Sequence, residues 1–388
     1  MKLTFWVSIF LIAYTYVGYG FVLFILVKIK RLYSKPFVFN NLAPLPTVTI
    51  LIAAWNEEFI ILEKIKNSLA LDYPKNKLQF IFITDGSTDQ TPDLIKPFEE
   101  ILLLHNHERT GKMAAIKRAM PFANGEILVF TDANTFLNVA AIKELVKHYQ
   151  NEKVGAVAGE KRIMVETSAD ASSAGEGFYW KYESLLKKWD YELYSNVGAA
   201  GELFSIRTSL YQPVESDTII DDHMIAMRIA EKGNIIAYEP NAYAMETASA
   251  NSKEELKRKI RIAAGGIQSI LRLTKAANPF INPILTFQYL SHRVLRWTIT
   301  PFLLIVALIL NTVIVFQTDL LHYHLLFYAQ ILFYALSVLG VIFEQQNIKI
   351  KAFFIPYYFC LMNYAVIAGM IRYYKKNQSA AWERSKRK

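Results

Sequence analysis

The sequence predicts an α/β fold, a mostly parallel sheet with helices on both faces, joined to membrane helices at both chain ends. Three observations lead there. Short apolar, β-branched-rich runs alternate with helical patterns between residues 48 and 158, the layout of a doubly wound sheet. Polar clusters recur at the carboxyl ends of those runs, where open α/β sheets bind ligands. The apolar excess collects in residues 5–27 and again from about 298 to 371, in segments close to the ~20 residues that cross a bilayer core.

The chain has 388 residues, 53% hydrophobic and 20% charged, with a mean hydropathy of +0.19. That length holds one α/β domain of roughly 200–260 residues plus a membrane region. A net charge of +9 invites nucleic acid or an anionic surface as partner, and its distribution favours the surface. Lys28, Lys30, Arg31 and Lys35 directly follow the first apolar run, as on the cytoplasmic side of a spanning helix. There is no Cys/His zinc spacing, Arg-rich repeat or aromatic–basic interleaving, which excludes nucleic acid. The lone Cys360 precludes an intrachain disulfide. Residues 1–27 read as an uncleaved anchor, since the apolar run is long and no small-x-small site precedes the basic cluster.

After a linker marked by Pro36, Pro44 and Pro46, the run from Val48 to Ala53 fits a buried strand. A helical pattern with Ile60, Ile61, Ile65 and Leu69 on one side follows, then a second strand over Leu78–Ile83 that ends at Thr84-Asp85-Gly86-Ser87-Thr88-Asp89. The next helix starts near Pro92, Ile101–Leu104 is a third strand, and Gly111–Met120 is helical. Ile127–Thr131 is a fourth strand that stops at Asp132-Ala133-Asn134; a helix from Val139 to Tyr149 and a fifth strand over Val154–Ala158 complete the alternation. Residues 173–194 form an aromatic amphipathic helix with Phe178, Tyr179, Tyr182, Leu185, Leu186 and Trp189 on one side, suited to core packing or to a membrane surface. The loop Gly198–Gly201 leads into a strand at Leu203–Ile206, a helix follows Asp221-Asp222 and ends at Gly233, and 254–275 is a basic helix. Residues 281–297 look interfacial. Three apolar segments close the pattern, near 298–316, 322–343 and 352–371.

The acidic residues carry the chemistry. Asp85 and Asp132 each end an apolar strand, and parallel strands would bring both to one sheet edge. Two carboxylates there repel unless a cation or a donor-rich ligand sits between them. A nucleoside diphosphate with Mg²⁺ or Mn²⁺ satisfies both conditions, because hard cations take oxygen ligands; simple capping of the following helices is the plainer reading. Lys112, just after Gly111 at a helix start, opposes the dipole preference there, which an anionic ligand would explain. Asp221 and Asp222 precede a helix, as caps or as a base for an acceptor hydroxyl. Arg258 and Arg261 share a helix side and suit a leaving diphosphate.

Together these stretches resemble the membrane-bound branch of family 2 glycosyltransferases, which includes cellulose, chitin, hyaluronan and poly-N-acetylglucosamine synthases and has the GT-A fold. Ala54-Trp55-Asn56-Glu57-Glu58 resembles the family's strand-end Tyr-Asn-Glu motif, which implies that Trp55 stacks on a uracil ring with Glu57 nearby. Thr84-Asp85-Gly86-Ser87 matches the nucleotide-binding aspartate, with Thr84 in place of the first carboxylate, and Gly111-Lys112 resembles the Gly-Lys pair beside the donor. Asp132-Ala133-Asn134 matches the metal-binding Asp-x-Asp with an amide in place of its second carboxylate, so the resemblance implies Mg²⁺ or Mn²⁺ on Asp132 and Asn134. Gly198–Gly201 resembles the acceptor-side glycine loop. Asp222 falls at the catalytic base and Asp221 at the acidic position before it. Arg258 to Ile262 falls on Gln-x-x-Arg-Trp, with Arg261 kept, Arg258 for Gln and Ile262 for the tryptophan that binds acceptor in polymerising members. Ala381-Trp382-Glu383-Arg384 resembles the family's C-terminal ending.

The resemblance implies an inverting transfer from a nucleotide sugar, UDP-linked in the first instance, to a glycan or lipid-linked acceptor at the membrane, for cell-surface polysaccharide. A single-sugar transferase acting on polyprenyl phosphate or another lipid is the alternative, and a non-catalytic nucleotide-sugar-binding subunit a further one. Donor, acceptor and membrane lipid are the implied partners; the sequence is silent on an export or accessory subunit. The expected layout is a transmembrane helix over 1–28, a linker over 29–46, a cytoplasmic GT-A domain over 47–276, an interfacial region over 277–297, a transmembrane region over 298–373 and a basic tail over 374–388, in a multi-pass protein of the inner or plasma membrane. Three crossings after residue 297 would leave that tail outside, against the charge rule. Pro356, Asn363 and Gly369 make 352–371 the segment expected to be re-entrant or surface-lying.

Overall fold

The computed structural model describes residues 1–35, 37–40, 42–164, 171–247, 252–346 and 350–376, with side chains for all of these except 171–179 and 351. Among the described residues eight strands form one sheet: β1 Val48–Ala54, β2 Leu78–Asp85, β3 Ile101–Asn106, β4 Ile127–Asp132, β5 Phe136–Leu137, β6 Val154–Met164, β7 Phe204–Arg207 and β8 Ile235–Thr247, in the order β3-β2-β1-β4-β7-β6-β8-β5. The first half is parallel, as the alternation with helices predicts, with Val48 opposite both Leu78 and Ile127.

Alternation within each strand explains why both faces are covered. Ile50, Ile52, Phe82 and Val129 point to one face, against Ile61, Ile65, Ile142 and Leu145 of helices Ile61–Leu69 and Ala141–Val146. Leu51, Ile81, Ile83, Leu128 and Phe130 point to the other, against Met113, Ile116, Met224 and Ile225 of helices Lys112–Ala119 and Asp221–Glu231. A sheet buried on both faces needs such near-continuous apolar strands.

The second half of the sheet departs from a simple parallel order. β7 lies antiparallel between β4 and β6, while β8 pairs in parallel with β6 over most of its length. The sequence pattern did not reveal β8, because Pro240 and Asn241 interrupt it and the ladder jumps from Gly159–Glu239 to Glu160–Tyr243 at that point. A proline removes a ladder donor, so strands tolerate it at such an irregularity. β6 runs on past the expected Ala158 through Glu160 and Lys161, charged residues that find ionic partners inside the fold.

The N-terminal helical segment spans Lys2–Tyr33, with a π turn at Tyr14–Gly18. Its basic end docks on the domain. Lys30 Nζ donates to the carbonyls of Glu192 and Leu193, 2.9 Å each, at the C-terminus of helix Ala171–Leu193, where a cation suits the helix dipole. Arg31 pairs with Glu192. Helix Ala171–Leu193 packs against the N-terminal segment through Leu186, Tyr19 and Leu23, so Tyr182, Leu186 and Trp189 serve packing while Leu185 is exposed; the Phe178 and Tyr179 side chains lie outside the described residues.

Among the described residues, three helices are long and apolar enough to cross a membrane: Lys2–Tyr33, Leu321–Gln345 and Ala352–Tyr374. A fourth candidate is the pair Pro283–Trp297 and Thr300–Val315, bent by 59°. Helix Lys351–Tyr374 is continuous through Pro356. It packs on helix Ser252–Arg272, where a Cβ on Gly369 would stand 2.6 Å from Ala263 Cβ and 2.7 Å from the Ile260 carbonyl. The Ala381–Arg384 ending and the tail from residue 377 onward lie outside the described residues.

Candidate functional site

Parallel register brings the carboxyl ends of β1, β2 and β4 side by side: Ala54 is opposite Thr84, and Ala53 opposite Asp132. Beyond this edge a cavity of about 520 Å³ opens, lined by Trp55, Glu57, Lys112, Asp132, Asn134, Asp221, Asp222, Arg258 and Arg261 among others. Nine of the ten residues singled out in the sequence therefore share one cavity wall. Its volume lies within the ~300–1,000 Å³ of small-molecule sites.

Asp85 is the exception. Its carboxylate lies behind the wall and accepts from Thr110 N at 2.9 Å, Thr110 Oγ1 at 2.7 Å and Gly111 N at 2.6 Å. Arg118 Nη1 faces it at 3.5 Å. With this set of partners it clamps the Arg109–Gly111 loop. The same loop presents a residue that the sequence reading missed. The Arg109 guanidinium lies 3.5 Å from the centroid of the Trp55 ring, whose Nε1 is anchored to the Gly86 carbonyl at 3.1 Å. Gly86, at φ +67°, could not carry a side chain there, because a Cβ would stand 2.5 Å from Arg109 Cβ. A glycine at 86, followed two dozen residues later by Arg109-Thr110-Gly111-Lys112, is the trace this pairing leaves in the sequence.

At the centre, Lys112 Nζ is 3.1 Å from Asp132 Oδ1 and 3.4 Å from Asp221 Oδ2. Burial pushes the ammonium down, but Asp132, Asp221 and Asp222 outweigh it and hold its pKa well above the usual lysine range. Asp222 accepts from its neighbour's amide, His223 N, at 2.8 Å. Burial and then the Asp221 charge push Asp222 up to about 7, against the pull of Lys112. Gly201 marks where these groups converge. A Cβ there would lie 3.4 Å from Asp222 Oδ2, 3.6 Å from Lys112 Nζ and 3.7 Å from Asp132 Oδ2.

Helix Ser252–Arg272 supplies the arginines. Arg261 Nη1 donates to the Ile219 carbonyl at 3.3 Å. Arg258 is bound by carboxylates, 2.9 Å from Glu202 and 3.6 Å from Glu255, a pairing across 56 residues that no local pattern shows. Beneath the site, fully buried Lys64 donates to Thr131 Oγ1 at 3.0 Å and the Thr135 carbonyl at 2.7 Å, bracketing the Asp132–Asn134 turn. Thr131 Oγ1 in turn donates to the Glu202 carbonyl at 2.9 Å.

Among the described residues no group of three His, Cys, Asp or Glu side chains is placed to hold a metal. Asp132 and Asn134 both line the cavity and bring one carboxylate and one side-chain amide to it. That set fits a Mg²⁺ or Mn²⁺ ion that arrives with phosphate oxygens, since such ions complete their shell from substrate and water.

Residues 49–211 match the family model described as "Glycosyl transferase family 2". Similar curated proteins include a beta-monoglucosyldiacylglycerol synthase of Nostoc, 32% identical over 52% of this chain and 43% of that protein. A poly-beta-1,6-N-acetyl-D-glucosamine synthase of Staphylococcus aureus is 28% identical over 60% of this chain and 57% of its own length. The chain thus spans about half the length of the curated relatives it matches. Among solved structures, the mannosyltransferase PcManGT from Pyrobaculum calidifontis, determined with GDP-Man and Mn²⁺, superposes with a TM-score of 0.72 at 23% identity, over 97% of this chain and 100% of that one. Over residues 49–211 the chain is thus similar to family 2 glycosyltransferases, and its fold is GT-A.

Proposed function

We propose that the chain transfers a sugar, with inversion, from a nucleoside-diphosphate donor to a hydroxyl or phosphate oxygen of an acceptor presented at a membrane. The observation that carries this reading is the convergence of Asp222, Lys112 and Asp132 around Gly201, in a cavity that also holds Trp55 and Arg109. Asp222, poised near neutrality, accepts the proton from an acceptor hydroxyl as that oxygen attacks the anomeric carbon. The bond from that carbon to the diphosphate oxygen breaks in the same displacement. Lys112 and Arg261 hold fixed positive charge where the leaving diphosphate gathers negative charge. A divalent cation on Asp132 and Asn134 would add Lewis-acid charge neutralisation at that diphosphate.

Trp55, with Arg109 stacked on its ring, offers a flat platform for the base. Asp85 contributes by fixing the Arg109–Gly111 loop rather than by facing the nucleotide. The acceptor side favours a lipid-linked acceptor, because Met362, Ala365 and Val366 of a helix apolar enough to span a membrane line the cavity together with Ile262 and Trp297. This wall suits an acceptor at the inner or plasma membrane, with the domain on the side where Lys28, Lys30 and Arg31 lie. Relatives named for a glucolipid and for a polysaccharide leave both single transfer and chain growth for the product to decide.

The test incubates detergent-solubilised full chain with UDP- and GDP-sugars, Mg²⁺ or Mn²⁺ and a membrane lipid extract, and follows nucleoside diphosphate and product by mass spectrometry. Asp222→Asn should abolish turnover and keep nucleoside-diphosphate binding. Turnover near wild type in that variant would remove Asp222 as the base.

A further inference from the structure

One wall of the cavity takes no part in the transfer just described. Trp180 lines it, and three ammonium groups surround its ring, with Lys259 Nζ at 5.4 Å, Lys187 Nζ at 5.8 Å and Lys161 Nζ at 6.0 Å from the centroid. Carboxylates answer each cation. Lys161 meets Glu202 at 2.7 Å and also Glu246, and Lys187 meets Glu160 at 3.9 Å. Lys259 meets Glu255 at 3.3 Å, and Arg258 bridges Glu202 and Glu255. Four cations (Lys161, Lys187, Arg258, Lys259) thus stand against four carboxylates (Glu160, Glu202, Glu246, Glu255).

Among the described residues these charges balance, cations at the cavity surface against carboxylates mostly behind them. The Lys161 and Glu246 side chains are only 3% and 4% exposed, and burying such pairs is poor stability design compared with apolar packing. Trp180, the four cations and Glu202 nonetheless line the cavity, with Glu160, Glu246 and Glu255 behind them, and that placement points to a ligand. An anion gains little where every cation is already matched. A neutral polyol gains more: its hydroxyls donate to Glu202 and accept from the ammonium groups, while its C–H faces pack on the indole. An acyl chain finds its apolar cover on the opposite wall, at Ile262, Trp297 and Met362.

We infer that Trp180 and the ion pairs around it form a pyranose subsite. The subsite adjoins the reacting centre, since Glu202 directly follows Gly201. This inference rests on the glycosyltransferase reading. The sugar is either the hexose of the donor or a sugar already on the acceptor, and the two sources separate in one experiment.

Full chain in detergent with Mn²⁺ is compared with Trp180→Ala, Trp180→Phe and Lys187→Gln. Equilibrium binding uses UDP, UDP-glucose, GDP and GDP-mannose, and transfer uses whichever nucleotide sugar the wild type consumes. For a donor hexose, Trp180→Ala weakens the nucleotide sugar about five- to ten-fold and leaves the bare diphosphate unchanged, the effect of one lost aromatic contact. For an acceptor sugar, both affinities hold, while the KM for the acceptor extract rises about as much and donor hydrolysis persists. Trp180→Phe retains most function in either arm. Lys187→Gln shows the same selective loss, so the assignment survives a Trp180→Ala chain that fails to fold. Equal loss of bare diphosphate and nucleotide sugar, or wild-type behaviour of all variants in both assays, overturns the subsite. A wild type that releases diphosphate from no nucleotide sugar instead overturns the glycosyltransferase reading.

Discussion

The ammonium of Lys64, fully buried, lies 3.0 Å from the hydroxyl of Thr131, the residue before Asp132. Its second bond, to the Thr135 carbonyl, closes the far side of the Asp132–Asn134 turn. The helix Ile61–Leu69 thereby fixes the turn from below, at the cost of a desolvated charge. Lys64→Met keeps the volume and removes both bonds. Turnover should fall about ten-fold through looser positioning, and half-maximal activation should need more Mn²⁺, while nucleotide binding without metal stays unchanged. Burial also lowers Lys64 to about 7. Between about pH 7 and pH 10 the native state then binds fewer protons than the unfolded chain, so stability rises with pH across that window. Melting temperature in detergent should climb from pH 7 to pH 9.5 more in wild type than in Lys64→Met, and equal slopes would contradict this account.

A second expectation concerns the acid limb of the rate profile. Asp222 must be ionised to accept a proton, and burial with the Asp221 charge lifts it to about 7. Transfer should therefore fall about ten-fold per pH unit below neutrality and level off above it. Asp221→Asn removes the like charge and the competitor for Lys112, and both changes lower Asp222, so the limb moves to lower pH. The stability sign is opposite to the rate. A carboxyl raised in the folded state contributes stability that is complete below about pH 4 and lost as pH rises through about 7. An unmoved limb in Asp221→Asn would reject the coupling.

Much of this site was legible because parallel strands obey a short-range rule. Apolar runs at Val48, Leu78 and Ile127 announce buried strands, and their ends carry Trp55, Asp85 and Asp132 to one edge. What stayed hidden is long-range or irregular. β8 was obscured by Pro240 at a register jump. The Arg258–Glu202 and Lys161–Glu202 pairs join residues 56 and 41 positions apart, and nothing in either neighbourhood names its partner. Asp85 was visible as a strand-end carboxylate, yet only the fold shows that its lone pairs are spent on Thr110 and Gly111. Helix Lys351–Tyr374 carries Pro356, Asn363 and Gly369 without breaking, with Gly369 giving the close approach to helix Ser252–Arg272.

Arg109 should prove necessary for the nucleotide. Its guanidinium is stacked 3.5 Å from the Trp55 centroid, and Asp85 and Gly86 fix its loop, so it is a built part of the flat platform proposed for the base. Arg109→Ala should weaken UDP or GDP binding roughly ten-fold, the scale of a partly desolvated cation–π contact of about 1–2 kcal/mol. Arg109→Lys should not restore it, since an ammonium lacks the planar face. Binding titrations without metal or acceptor check this, and an unchanged affinity in Arg109→Ala would remove Arg109 from the platform.

Gly201 and Gly198 should separate catalysis from folding. At Gly198 φ is +133°, and a Cβ would stand 2.5 Å from His223 Nδ1, so Gly198→Ala combines backbone strain with a clash and should lower the melting temperature. Gly201 has no left-handed φ, and its Cβ would rest at ordinary contact distance, 3.4 Å from Asp222 Oδ2 and 3.7 Å from Asp132 Oδ2. Gly201→Ala should therefore fold and melt like wild type. The added methyl nonetheless enters the space between base and diphosphate site, where misplacing reactants by about 1 Å costs on the order of a hundred-fold in rate. Transfer should collapse in Gly201→Ala while nucleoside-diphosphate affinity and melting hold. Full transfer in that variant would show that the reacting atoms meet elsewhere in the cavity.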